Sequence, residues 1–66
     1  MLVSTPVYFV STKSRPCEFL SEYHSPVNAL CDSAIYFDRR VAENEIDCCD
    51  EPEEYEIIQG RIIVDI

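Results

Sequence analysis

Lysine and arginine are missing from the stretch between Val41 and Gly60, and the whole 66-residue chain holds only five of them. Glycine is scarce as well. Gly60 is the single one, so a glycine-rich phosphate cradle is excluded. No apolar run is long enough to span a bilayer. The first residues, Met1-Leu2-Val3-Ser4-Thr5-Pro6, lack the basic flank and apolar core of a secretion signal, and a cytoplasmic location is expected. A chain this short buries only about 60% of its unfolded surface. It is read as one small acidic domain, residues 1–66, with little room for an enclosed substrate cavity, and an enzyme is not expected.

What is abundant is acid. Thirteen acidic residues give a formal charge of −8. Eight of the fourteen residues from Glu43 to Glu56 are carboxylates: Glu43, Glu45, Asp47, Asp50, Glu51, Glu53, Glu54 and Glu56. Like charges this close repel one another, so folding does not select for such a run. It is either a solvated loop that keeps a small protein soluble, or it is kept because something basic binds it. The net charge argues against direct contact with nucleic acid or an anionic membrane. Carboxylates spaced along a loop and strand can instead engage lysines and arginines that otherwise hold DNA or RNA, and complementary charge speeds association and selects partners.

The other chemical groups point nowhere as clearly. Cys17, Cys31, Cys48 and Cys49 are expected to be reduced thiols, since no secretion signal supplies an oxidising compartment and adjacent cysteines rarely bond to each other. With His24 they include zinc-type ligands, but no C-x-x-C pair exists, and Cys31 is expected to be a small buried hydrophobe. Cys48 and Cys49 lie among carboxylates, which raise a thiol pKa and disfavour the nucleophilic thiolate. Asp32 and Asp38 are too far apart on the expected helix to work as an acid/base pair. The cluster from Asp50 to Glu54 lacks the alternating ligands and the central glycine of a calcium loop. No metal and no cofactor are expected.

Val7-Tyr8-Phe9-Val10 is β-branched and aromatic and reads as a strand, with Pro6 at its start. Ser11 to Pro16 reads as a turn, and Cys17 to His24 as a second strand. Ser25-Pro26 is a helix-start signal. From there Val27, Leu30, Ala34, Phe37 and Val41 recur at steps of three and four, which predicts a helix from about Pro26 to about Asn44. Arg39 and Arg40 then lie in its C-terminal half, where cations suit the dipole. Ile46 can extend the helix by a turn. A second patch, Ile35, Ala42 and Ile46, faces a curled sheet edge or the following loop, or else a partner. The acidic connection runs from Glu43 to Glu54. In the tail, a hairpin turning at Gln59-Gly60 pairs Ile57 with Ile62 and Tyr55 with Val64, and sorts apolar from polar side chains better than one continuous strand does. The expected fold is α+β, a single helix packed on a small antiparallel sheet in the order β-β-α-β-β.

In size, in its helix-on-sheet pattern and in the acidic stretch Glu43 to Glu56, the chain resembles small phage-encoded inhibitors, above all anti-CRISPR proteins. That resemblance implies a non-enzymatic inhibitor acting in the host-cell cytoplasm on the basic surface of a bacterial protein complex. The acidic residues would be its contacts, and Tyr36 and Arg40, neighbours on the expected helix, an added anchor. The stretch Phe19 to Phe37 is also similar to the β-β-α half of HicB-type antitoxins, although the Pro- and Gly-containing segment usual before that family's helix is missing. This second likeness implies an antitoxin or regulatory subunit that uses Ile35, Ala42 and Ile46. A homodimer is also open, because the tail Ile62 to Ile66 is a candidate edge strand.

Overall fold

The computed structural model describes residues 1–23 and 25–66. Its frame is a pair of long strands, β1 (Leu2–Thr12) and β4 (Tyr55–Asp65), antiparallel over their whole length from Leu2 opposite Asp65 to Thr12 opposite Tyr55. On the other side of β1, Ser11 pairs with Phe19 of the short β2 (Phe19–Leu20), and β2 pairs with β3 (Pro26–Val27). The four-stranded sheet therefore runs β3-β2-β1-β4. One helix, α1 (Arg39–Asp47), packs on it. The fold is α+β, with a four-stranded antiparallel sheet and one α-helix among the described residues. The element order is β-β-β-α-β rather than β-β-α-β-β.

The strand through Val7–Val10 is present and longer than the apolar run alone suggests. Tyr8 exchanges backbone hydrogen bonds with Tyr36, at 2.7 and 2.9 Å, on the side away from β4. By the alternation of an antiparallel ladder, Pro6 also faces away from β4, so its missing N–H leaves no gap in the β1–β4 pairing.

The tail is not a hairpin. β4 continues straight through Gln59 and Gly60, and Gly60 stands opposite Val7. A Cβ at Gly60 would lie 3.2 Å from Cε2 of Phe9, so the glycine leaves the space that the aromatic ring fills. A hairpin at this point would have stripped β1 of half its partner.

The helix also differs from the expected one. Pro26 and Val27 belong to β3. Ser25 caps nothing there: its carbonyl accepts from Ser21 N–H, while Ser21 Oγ accepts from the N–H groups of Tyr23 and Ser25. This turn links β2 to β3 and replaces the long strand expected over residues 17–24, of which position 24 lies outside the described residues. From Val27 to Phe37 the periodic positions sit among Asn28, Asp32 and Ser33, turn formers, and weak helix formers such as Ile35 and Tyr36. Only a single 3₁₀ turn forms, at Leu30–Asp32. The helix begins where strong formers begin, with Asp38 as N-cap accepting from Arg40 N–H at 2.9 Å. It passes through Asn44 and ends at Asp47.

The core is correspondingly small. Val10 (0% exposed), Leu20 (3%) and Ala42 (0%) form its centre, with Tyr8, Tyr36, Ile46, Cys49, Tyr55 and Ile57 packed around them, while Val7 and Phe9 are buried on the other face of β1. Leu30, Phe37 and Val41, assigned by periodicity to the buried stripe, are exposed. The inward face of α1 is Ala42 and Ile46, continued by Cys49, so the supposed second patch supplies the core contact and only Ile35 of that patch stays exposed.

Candidate functional site, an acidic rim

The acidic residues are carried by three consecutive elements and the connection between the first two. Glu43, Glu45 and Asp47 lie on α1, Asp50 and Glu51 in the connection, and Glu53 and Glu54 in a 3₁₀ turn (Pro52–Glu54) that Pro52 starts. Glu56 follows on β4, opposite Ser11. Glu45 and Glu56 are half-buried and the other six are exposed. The rim is anchored from below: Lys13 N–H donates to Glu54 O at 2.9 Å, and Cys49 Sγ donates to Glu45 O at 3.3 Å.

Glu43 and Glu56 meet cations among the described residues. Glu43 pairs with Arg39 at 3.1 Å across one helical turn, and Glu56 pairs with Arg15 at 3.5 Å. Among the described residues no cation reaches Asp47, Asp50, Glu51, Glu53 or Glu54. The dipole of α1 makes the imbalance worse. Arg39 and Arg40, expected near the helix C-terminus, are its first two residues, and the last turn carries Asp47 and no base. Each such charge at the wrong end costs about 0.3–1 kcal/mol when exposed. Asp38 relieves the start, since its side chain also reaches Arg40 Nη2 at 3.4 Å, and the end has no such relief among the described residues.

A shallow depression opens at this rim, lined by Leu20, Cys48, Cys49, Asp50, Glu51 and Tyr55 and enclosing about 480 Å³. Its wall combines a buried leucine and a tyrosine with two carboxylates. A lysine or arginine side chain is built the same way, with an apolar stem and a charged head, and long cations readily lay their stems on apolar surface.

The Cys49 thiol is shifted away from the nucleophilic thiolate. Burial pushes the Cys49 thiol above its ordinary range, and the neighbouring Cys48, Glu45 and Asp50 push it further in the same direction. All four cysteines are free, and Cys31, expected to be buried, is exposed. Among the described residues no three His, Cys, Asp or Glu side chains gather as metal ligands, and His24 lies outside those residues.

Tyr36 is not on a helix beside Arg40. It is bridged to Tyr8 and packed against the core, and burial, followed by the charges of Glu45 and Cys49, raises its phenol pKa. The apolar surface that the antitoxin likeness would use is not free either, because Ala42 is fully buried and Ile46 packs against the core. The apolar lining of the depression, Leu20 and Tyr55, escaped sequence reasoning. These residues lie 35 positions apart and meet only because β2 and β4 both border the β1 end that carries Ser11 and Thr12.

The chain matches no protein-family model, and no curated protein or solved structure matches it. No helix among the described residues is long and apolar enough to cross a membrane.

Proposed function

We propose that this chain is a non-enzymatic protein inhibitor that binds a basic, nucleic-acid-handling surface of a bacterial defence or host complex. Its carboxylates stand where the complex would otherwise hold phosphates, in the manner of an anti-CRISPR protein. The observation that carries this reading is the uncompensated rim. Asp47, Asp50, Glu51, Glu53 and Glu54 are exposed and have no cation within ion-pair reach among the described residues, at a helix end whose dipole opposes them. Charge that works against local stability, beside a depression lined by both apolar side chains and carboxylates, is explained by a cationic partner. The site of action is the cytoplasm of the host cell, where such complexes work, and the protein itself needs no cofactor and touches no nucleic acid.

The test is capture. Immobilised wild-type chain is expected to retain a nucleic-acid-handling complex from bacterial lysate at low salt and to release it when DNA or RNA is added. A variant carrying Glu51→Lys, Glu53→Lys and Glu54→Lys, folded by circular dichroism, is expected to retain none. Equal capture by the triple variant would reduce the rim to a solvated loop.

A further inference from the structure

The two long strands leave the core behind at their far end. From Leu2 to Ser4 and from Ile63 to Asp65, β1 and β4 form a two-stranded ribbon without a third layer among the described residues, and Leu2 (71%), Val3 (44%), Ile63 (64%) and Val64 (48%) are exposed. Apolar side chains occur on both faces of this arm, because Leu2 and Ile63 share one face and Val3 and Val64 the other. β4 is the outermost strand of the sheet, so its outer edge carries unpaired backbone groups along its length.

The phase of those groups follows from Tyr8. Its N–H and C=O point to Tyr36, hence away from β4, so Gln59 opposite it also points away from β1. Alternation then directs the N–H and C=O of Arg61, Ile63 and Asp65 toward the open edge. On β1 the corresponding outward residues are Leu2, Ser4 and Pro6, and Pro6 has no N–H to offer. One edge of the arm is blunted and the other is not.

We infer that the open edge of β4 pairs with the same edge of a second copy of this chain, antiparallel about a two-fold axis at Ile63, making one continuous eight-stranded sheet. The segment Arg61-Ile62-Ile63-Val64-Asp65 reads basic, apolar, apolar, apolar, acidic, which is self-complementary when reversed. Centred on Ile63, Arg61 of each copy faces Asp65 of the other, Ile62 faces Val64, and Ile63 faces itself. The outward-pointing residues Arg61, Ile63 and Asp65 then pair only with one another, which is the phase that closes hydrogen bonds. Cross-strand pairs of opposite charge and of β-branched residues are the favourable kinds.

Net charge does not forbid the contact. Arg61 and Asp65 are the only charged side chains in residues 1–7 and 60–66, so the arm is neutral and the full −8 lies elsewhere. With a rise of ~3.3 Å per residue, Glu56 stands about 23 Å along the strand from Ile63. That is well beyond a screening length of roughly 8 Å at physiological ionic strength. The dimer would carry an acidic rim at each end. This inference does not depend on what the rim binds.

Sedimentation equilibrium of the full chain over a concentration series tests it. The wild type is expected to approach twice its 7.6 kDa mass. Arg61→Asp and Asp65→Arg, each alone, turn both cross-strand charge pairs into like pairs and should weaken the dimer about tenfold. An equimolar mixture of the two variants should dimerise again, because a chain acidic at both positions then faces a chain basic at both. Ile63→Pro removes an outward N–H and should leave a monomer of native circular dichroism. A wild type that remains monomeric throughout overturns the proposal and leaves the edge for a strand of a different protein. A mixture no tighter than either single variant overturns the register, and with it the two-fold pairing.

Discussion

The same two strands have opposite characters at their two ends. Where Val10 and Ile57 face each other they lie under α1 and beside β2, with buried side chains on both faces of β1 and the acidic rim around them. Where Val3 and Val64 face each other both are exposed, and the arm is apolar and neutral. The molecule is drawn out accordingly, 42 Å long and about half as wide. The difference teaches that strand-forming sequence and burial are separate matters here. Val, Ile and Leu residues at the arm are held by the β1–β4 ladder alone, and two-stranded ribbons are marginal in water unless something packs on them. Charge is sorted along the same axis, with the acid concentrated at the packed end.

The largest effect should come from removing a side chain at the packed end. Leu20→Ala leaves a cavity at the centre of the core and is expected to cost about 2–5 kcal/mol, enough to unfold a domain this small. Ile63→Ala at the arm should change the stability of the monomer by less than about 0.5 kcal/mol. Urea denaturation of both variants at low protein concentration measures the contrast, and equal losses would mean that the arm is packed after all.

A smaller effect of opposite sign is expected at the rim. Asp47→Lys puts a cation at the C-terminal end of α1 and should stabilise the fold by about 0.5 kcal/mol, while weakening capture of a basic partner. A shift of both properties in the same direction would break the proposed separation between charge kept for folding and charge kept for binding.

The smallest effect concerns Asp38. Its carboxyl is held below the usual 3.8, first by the backbone hydrogen bond from Arg40 and then by the Arg40 side chain. A depressed carboxylate adds stability that is present above pH 3.8 and lost as pH falls through the lowered value. Asp38→Asn keeps a capping oxygen without the charge. The gap in melting temperature between wild type and this variant should therefore close as pH drops below that range. A gap that persists in acid would assign the difference to something other than the carboxylate's charge.

Much of the packed end was legible in the sequence and much was not. Strand β1 is legible because Val7-Tyr8-Phe9-Val10 combines β-branched and aromatic residues. The acidic segment is legible because formal charge needs no fold to be counted. The helix was misplaced because the three-and-four spacing from Val27 to Val41 outweighed propensity. Most of residues 27–37 are weak helix formers, Ala29, Leu30 and Ala34 excepted, and the better capping signal, Asp38 ahead of Arg39, Arg40 and Ala42, lay inside the expected helix. The tail was misread because a glycine between two apolar runs suggests a turn. Gly60 instead makes room for Phe9, a contact with a strand some fifty positions away that no local pattern reveals. The depression beside Asp50 and Glu51 stayed hidden for the same reason, since its apolar lining comes from strands distant in sequence.

The central claim, that exposed carboxylates at the packed end meet cationic residues of another macromolecule, is tested most directly by affinity against salt. With the complex captured from lysate, the dissociation constant is predicted to rise at least about tenfold between roughly 50 and 200 mM salt. A dissociation constant that stays level across that range would contradict the claim.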